Sequence, residues 1–287
     1  MKWMKRILIA VLVLLFFGTA FLGTTYWLAK RKPAWYKPPA LSSRELEAAA
    51  NRALSKMIAL QNVANRSAAV DSSRQWRQST GASTLPVDPP LTITFTQDEL
   101  TAFVTQWSQL NSNRVDKYIT GPQFVLEEGQ IIFAGHLTDL DQLGVLRLQP
   151  RIDESGQLHL EIAGVSAGSL PVPESMVLKR LAPSEALLRK WLPAWQQSAK
   201  IAADGANKDA EKAAMTKLLL NTLHHQPSPA VVYLPIESHK TVPMKLTHVA
   251  VGAGTLTLTV IPLTEEIRKV TLQNLREPID TATAASN

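Results

Sequence analysis

The pentapeptide Gly164-Val165-Ser166-Ala167-Gly168 matches the G-x-S-x-G spacing of a serine nucleophile elbow. That chemistry needs the serine on a sharp turn between a parallel strand and a helix, with its acid and histidine later in the chain. Here the match closes a strand of antiparallel type and runs into Ser169-Leu170-Pro171-Val172-Pro173. Two prolines in that stretch forbid an immediate helix. His224, His225, His239 and His248 follow, but no acid is placed with them. Small residues that let a strand bend or a helix approach closely are the better reading.

The remaining polar residues argue against catalysis in the same way. His224-His225 close a helical pattern, where positive charge suits the helix dipole. A metal site would need further ligands at a set spacing, and none is found. His136, His159 and His248 alternate with apolar neighbours and read as the wetter faces of strands. Glu127-Glu128 and Asp139/Asp141 fall at strand ends or turns. Paired carboxylates can serve a glycosidase, but a solvated edge explains these. The chain has no P-loop, no G-x-G-x-x-G and no H-E-x-x-H. It has no cysteine, which excludes disulfides, thiolate metal sites and cysteine nucleophiles. No enzyme, cofactor or metal is expected.

Two sets of large apolar side chains suit an apolar ligand. Phe103 and Trp107 share one helical pattern, and Leu187, Leu188, Trp191 and Trp195 share another. A curved sheet wrapped around such helices can leave an apolar groove; plain core filling is the competing reading.

The elements that must hold these residues begin with a span. From Ile7 to Ala29 the sequence carries no charge. At about 1.5 Å rise per residue this run crosses a hydrocarbon core of about 30 Å. Trp3 precedes it, Tyr26 and Trp27 close it, and Trp35 and Tyr36 follow, as interfacial aromatics do. A cleaved signal peptide would have a shorter apolar region ending in a small-x-small site, and nothing after Phe21 offers a good one. Residues 1–29 are therefore expected to be an uncleaved transmembrane anchor in the cytoplasmic membrane. Lys2, Lys5 and Arg6 favour a cytoplasmic N-terminus, although Lys30, Arg31, Lys32 and Lys37 crowd the far end. The short tail before the apolar run favours an extracytoplasmic body. These cations account for much of the net charge of +6 and suit anionic headgroups. With no Arg-rich helix or aromatic platform elsewhere, no nucleic-acid partner is expected.

Of 287 residues, 45% are apolar and 19% charged, so the body should bury a proper core. Residues 30–41, with three prolines, read as a stiff juxtamembrane spacer. Ser42 and Glu45 make a capping box for an amphipathic helix over 42–68, with Leu46, Ala50, Ala53, Leu54, Met57, Leu60 and Ala64 in one stripe. Residues 69–90 read as a linker, 91–279 as a soluble domain and 280–287 as a disordered tail. Within the domain, the strand Leu91–Phe95 leads to a Thr96–Glu99 capping box and a helix with Leu100, Phe103, Val104, Trp107 and Leu110 on one face. Strands at 123–127, 130–139, 144–153 and 157–165 follow as a meander, with Ile131/Phe133 and Leu158/Leu160/Ile162 marking a covered face. Three helices come next, around Met176–Leu181, from Ser184 to Trp195, and from Lys208 to His224. Strands at 230–236, 244–252 and 255–262 close the body. This order is α+β: a curved antiparallel meander packed on helices, behind an N-terminal transmembrane helix.

An anchor, then TFTQDELTAFVTQW (94–107), FVLEEGQIIFAG (124–135) and LQPRIDESGQLHLEIAGVSAGSLPVPESMV (148–177), resembles the YpmS-like family of membrane-anchored proteins, a group largely defined as a domain of unknown function. The resemblance covers roughly residues 91–180 with the anchor; the helices at 42–68 and 184–224 depart from it. That family is similar in turn to tubular lipid-binding domains, in which a curved sheet wraps a helix around an apolar cavity. The resemblance implies a lipid-like ligand at the cell envelope and supplies no catalytic residue. A scaffold subunit of an envelope complex, associating with protein partners or its own copies through the 42–68 helix and Gly18/Gly23, is the alternative expectation.

Overall fold

The computed structural model describes residues 30–33, 35–36, 41–78, 89–112, 116–201, 208–237 and 240–263. The expected anchor with Trp3, Tyr26 and Trp27, and the expected tail, lie outside them. Among the described residues, no helix is long and apolar enough to cross a membrane. The chain is α+β, with curled antiparallel sheet and helices.

The first helix, α1 (Ser43–Gln78), starts as its cap predicts: Glu45 accepts from the Ser42 backbone N–H at 2.8 Å. It runs ten residues past the expected end, through the start of the expected linker. Of its expected stripe, Ala50, Ala53 and Leu60 are buried, while Leu54 and Met57 face out.

Four strands form one sheet in the order β1-β10-β9-β8: β1 (Leu91–Thr96), β8 (Val231–Glu237), β9 (Lys240–Gly252) and β10 (Thr255–Pro262). Alternation in β1 buries Ile93 and Phe95 and turns Thr92 and Thr94 out. Opposite them, Thr259 and Thr257 supply matching hydroxyls, each pair 2.9 Å apart. Such facing pairs are the unit of sheet stabilisation. The inner face meets α1, so that Ala53, Leu60 and Val63 pack with Ile93, Phe95, Met244, Leu246 and Val260.

Five strands follow one another in the second sheet: β2 (Ile119–Glu127), β3 (Gln130–Leu137), β4 (Gln142–Ile152), β5 (Gln157–Ala167) and β6 (Leu170–Val172). The short strand β7 (Ser228–Pro229) adds to β5. Gly129 N–H donates to Val251 O, and Gly254 N–H to Leu126 O, which joins the two sheets. Irregularities in register bend the ladders. One sits in β5, where Arg147 pairs with Gly164 and Leu148 with Ile162, leaving Ala163 out. Another passes Gly121 and Pro122 opposite Gly135, where any side chain on Gly135 would collide with Ile119. The deeply buried face differs from the expected one: Ile132, Ala134, Leu143 and Val145 form the cluster, and Ile131 and Phe133 are half-buried behind it.

The β4–β5 turn is held by Asp153. Its carboxylate accepts from Ser155 Oγ at 2.6 Å and from the Gln157 N–H at 2.9 Å, and pairs with His159 at 2.8 Å. These bonds, the Ser155 hydroxyl first, hold its carboxyl below the usual carboxylate range. Asp153→Ala is expected to speed amide exchange at Gln157, which loses its acceptor, while β3 amides keep their rates. Hydrogen exchange read residue by residue checks this.

The helical section is simpler than its prolines suggest. A single helix α3 (Glu174–Ile201) passes through Pro183 and Pro193, and α4 (Lys208–Leu223) packs beside it. Proline in a helix interior costs about 3 kcal/mol. Packing of Leu188 and Leu192 on Ala213 and Leu220 offsets that cost and carries the helix through.

Candidate functional site

The helix α2 (Gln97–Leu110) has three faces, and they explain one another. Thr96 caps it: its hydroxyl accepts from the Glu99 N–H, while Glu99 reaches back to the Thr96 N–H at 2.9 Å. Gln97, Thr101 and Thr105, spaced four apart, line the free edge of β2. Leu126 N–H donates to Gln97 Oε1, Thr101 Oγ1 both accepts from Phe124 N–H and donates to Phe124 O, and Thr105 donates to Pro122 O. An open strand edge invites unwanted pairing, and here side-chain hydrogen bonds close it.

A second face meets α1. Ala102 packs on Ala49 and Ala50, small residues that let the two backbones come close. Beside them Glu99, 3% exposed, accepts from Lys56 Nζ at 2.6 Å and lies 3.5 Å from Arg52 Nε. Lys56 also donates to Thr94 O at 2.7 Å, so one ammonium ties α1 to both β1 and α2. Burial pushes the Glu99 carboxyl up; the Lys56 and Thr96 hydrogen bonds and the two cations outweigh it and hold it below its ordinary value.

Of the expected apolar stripe, Leu100 packs on the core beside Ile93 and Phe95 and Val104 is half-buried, while Phe103, Trp107 and Leu110 point outward. Phe103 is 37% exposed, Trp107 50% and Leu110 81%, rising toward the helix end. Fully covering one large apolar side chain is worth about 1.5–3 kcal/mol, so a partner that completes the burial of these three gains at most about twice that. A row of large apolar side chains facing water calls for a partner.

The second set of expected ligand residues is split. Leu188 belongs to the small core between α3 and α4, whereas Leu187 and Trp191 face out. For Trp195 the structure describes the helix backbone alone. The two candidate helices belong to separate packings: α2 lies against α1 and β2, and α3 against α4 and β5. His224, read as a C-terminal cap, instead reaches α3, with Nε2 at 2.9 Å from Glu185 Oε1 and 2.8 Å from Arg189 Nη2. The helix ends as His225 takes a left-handed φ of 54°.

Trp35 and Tyr36 were expected at the headgroup level; their rings lie half-buried on the Ile132–Val145 cluster. They meet edge to face at 6.1 Å, Arg147 sits 5.9 Å from the Trp35 ring, and burial pushes the Tyr36 hydroxyl pKa up. The spacer thus packs on the sheet from its first described residues. Ser166 lies within β5, its hydroxyl donating to Gly168 O at 3.3 Å, in an antiparallel sheet without the strand-to-helix turn of an elbow. The α2 edge contacts escaped sequence reasoning, although a Gln-x3-Thr-x3-Thr spacing beside an apolar stripe was there to be read.

No family model matches the chain, and neither a curated protein nor a solved structure does so at a significant level.

Proposed function

We propose that this chain is a membrane-anchored, non-enzymatic module that binds a lipid-like or other apolar ligand at the cell envelope, with its body outside the cytoplasmic membrane. The observation that carries the reading is the outward stripe of α2, whose other two faces are consumed by hydrogen bonds and close helix packing. The uncharged run Ile7–Ala29 is the candidate anchor, and the reading draws on the curled antiparallel sheet beside α2.

The test is native mass spectrometry with solvent extraction on the full-length protein released gently from its own membranes. A stoichiometric lipid is expected on the native chain and at least about tenfold less on Trp107→Asp, equivalent to about 1.4 kcal/mol of binding. Because Trp107 is half buried, unfolding stability should fall by about 1–2 kcal/mol, and the comparison is made on folded protein. Undiminished ligand on that variant overturns the assignment to α2.

A scaffold role within an envelope complex is the second reading. It is supported by Leu54, Met57 and Ile58 facing water on a 36-residue helix. Crosslinking in native membranes separates the two: a fixed partner or homo-oligomer on an empty domain supports the scaffold.

A further inference from the structure

The second sheet has two ends. The β2–β3 turn (Glu128-Gly129) and the β4–β5 turn (Asp153–Gly156) lie at one, and the β3–β4 turn (138–141) and the β5–β6 turn (Gly168-Ser169) at the other. Eight residues of β3 separate the ends by about 25 Å. Antiparallel hairpins enforce this sorting whatever their side chains.

Three observations mark the second end. The chain enters there: Lys30 Nζ lies 3.3 Å from Asp141 Oδ2, and the Arg31 carbonyl accepts from Ser169 Oγ at 2.9 Å. Lys30 directly follows the uncharged run Ile7–Ala29 in the sequence, so the first described residues after that run lie beside both turns. An exposed ion pair adds little energy and serves here as a position marker. Trp35 and Tyr36, packed on the sheet just beyond, supply the adhesion.

Next, α2 runs toward the same end. Gln97 meets Leu126, Thr101 meets Phe124 and Thr105 meets Pro122, so Leu110 lies level with the start of β2. Residues 116–118 are there too, since Thr138 N–H donates to Tyr118 O and Thr138 Oγ1 to Asp116 O.

Finally, the apolar side chains at this end are turned into water. Leu110 is 81% exposed, Tyr118 69% and Leu140 56%. Around them Lys30, Arg31, Lys32 and Lys117 stand against Asp116, Asp139 and Asp141. The opposite end carries Glu127, Glu128, Asp153 and Glu154, with Arg151 and Lys245 beside the β4–β5 turn.

We infer that the end of the domain bearing Leu110, Tyr118 and Leu140 is a membrane-contact rim, seated in the headgroup layer of the bilayer that holds the N-terminal run. The inference rests on that run being a transmembrane anchor and deepens the reading above. The α2 stripe then leads from the rim, Leu110 to Trp107 to Phe103, so a lipid leaving the bilayer meets the ligand-binding helix at its membrane end.

The native chain contains no cysteine, so single labels are unambiguous. Leu140→Cys, Tyr118→Cys and, at the opposite end, Glu128→Cys are made in the full-length protein. Each is labelled with an environment-sensitive fluorophore and reconstituted in phosphatidylcholine–phosphatidylglycerol vesicles containing a doxyl-labelled lipid. A rim seated about 5–10 Å into the interface gives blue-shifted emission and at least about twofold more quenching at both rim sites than at Glu128→Cys. Quenching at either rim site equal to that at Glu128→Cys overturns the rim as drawn. Loss of the native protein from membranes in an alkaline wash overturns the anchor, and the rim with it. Retention in the wash with unquenched labels removes the rim alone, and leaves the ligand reading to the Trp107→Asp measurement.

Discussion

Glu99→Ala lowers the unfolding free energy of the full-length protein by about 3 kcal/mol, the range for removing one partner of a buried charge pair. The carboxylate is almost fully enclosed and serves Lys56, Arg52 and the Thr96 cap together. Lys56 and Arg52 keep partial access to water, which holds the cost at the lower end of that range. Lys56→Met should cost a comparable amount, because it leaves the enclosed Glu99 carboxylate with the Thr96 bond and the more distant Arg52 alone. The double variant should cost less than the sum of the two, since the pair is coupled. Urea unfolding in detergent micelles measures all three. A Glu99→Ala loss below about 1 kcal/mol would mean that the two cations turn freely to water and that the cluster does not tie α1 to α2.

The same carboxylate sets a pH dependence. Its folded-state pKa lies below the ordinary glutamate value, so its ionisation favours the fold at pH above the ordinary range. That contribution is lost as pH falls through the depressed native value. The stability gap between the native chain and Glu99→Gln should therefore be full near neutrality and narrow in acid.

Met244→Ala is the second large loss, about 3 kcal/mol, from transfer of the side chain and the cavity left behind. Met244 is 0% exposed at the centre of the α1 sheet face, among Ile93, Leu246 and Val260. Met215 and Met176 are exposed, and alanine there should cost no more than about 0.5 kcal/mol. Three identical substitutions with one large effect would locate the core by measurement. Similar losses at all three would disprove the placement of β9.

Local signals in the chain were legible and distant ones were not. The Thr96–Glu99 box starts α2, and Leu91–Phe95 alternates as a strand should. Nothing near β1 says that its partner is β10, because pairing is settled by two matching threonine rows far apart in the chain. The α2 stripe was read as one face from Leu100 to Leu110, and periodicity cannot tell which part of it turns inward. Gln97, Thr101 and Thr105 decide that by bonding to β2, and polar residues spaced four apart look the same when solvated. Separate helices were expected on either side of Pro183, whereas one helix runs through it with Leu188 and Leu192 packed on α4. Trp35 and Tyr36 followed a span and resembled interfacial aromatics; the apolar patch on β3 and β4 that receives them lies about a hundred residues away.

The pairing of β1 with β10 sets a timetable. Leu91 stands opposite Val260, and 260 − 91 leaves 169 positions to be added before the ladder can close. At about 5–20 residues per second this is a wait of roughly 10–30 s, during which Ile93 and Phe95 have neither their neighbouring strand nor the finished sheet beneath α1. Contacts of such separation also slow the closure itself. Whatever escorts the nascent chain has that interval in which to hold it, and a ribosome stalled before Thr255 releases a body whose outermost strand has nothing to pair with.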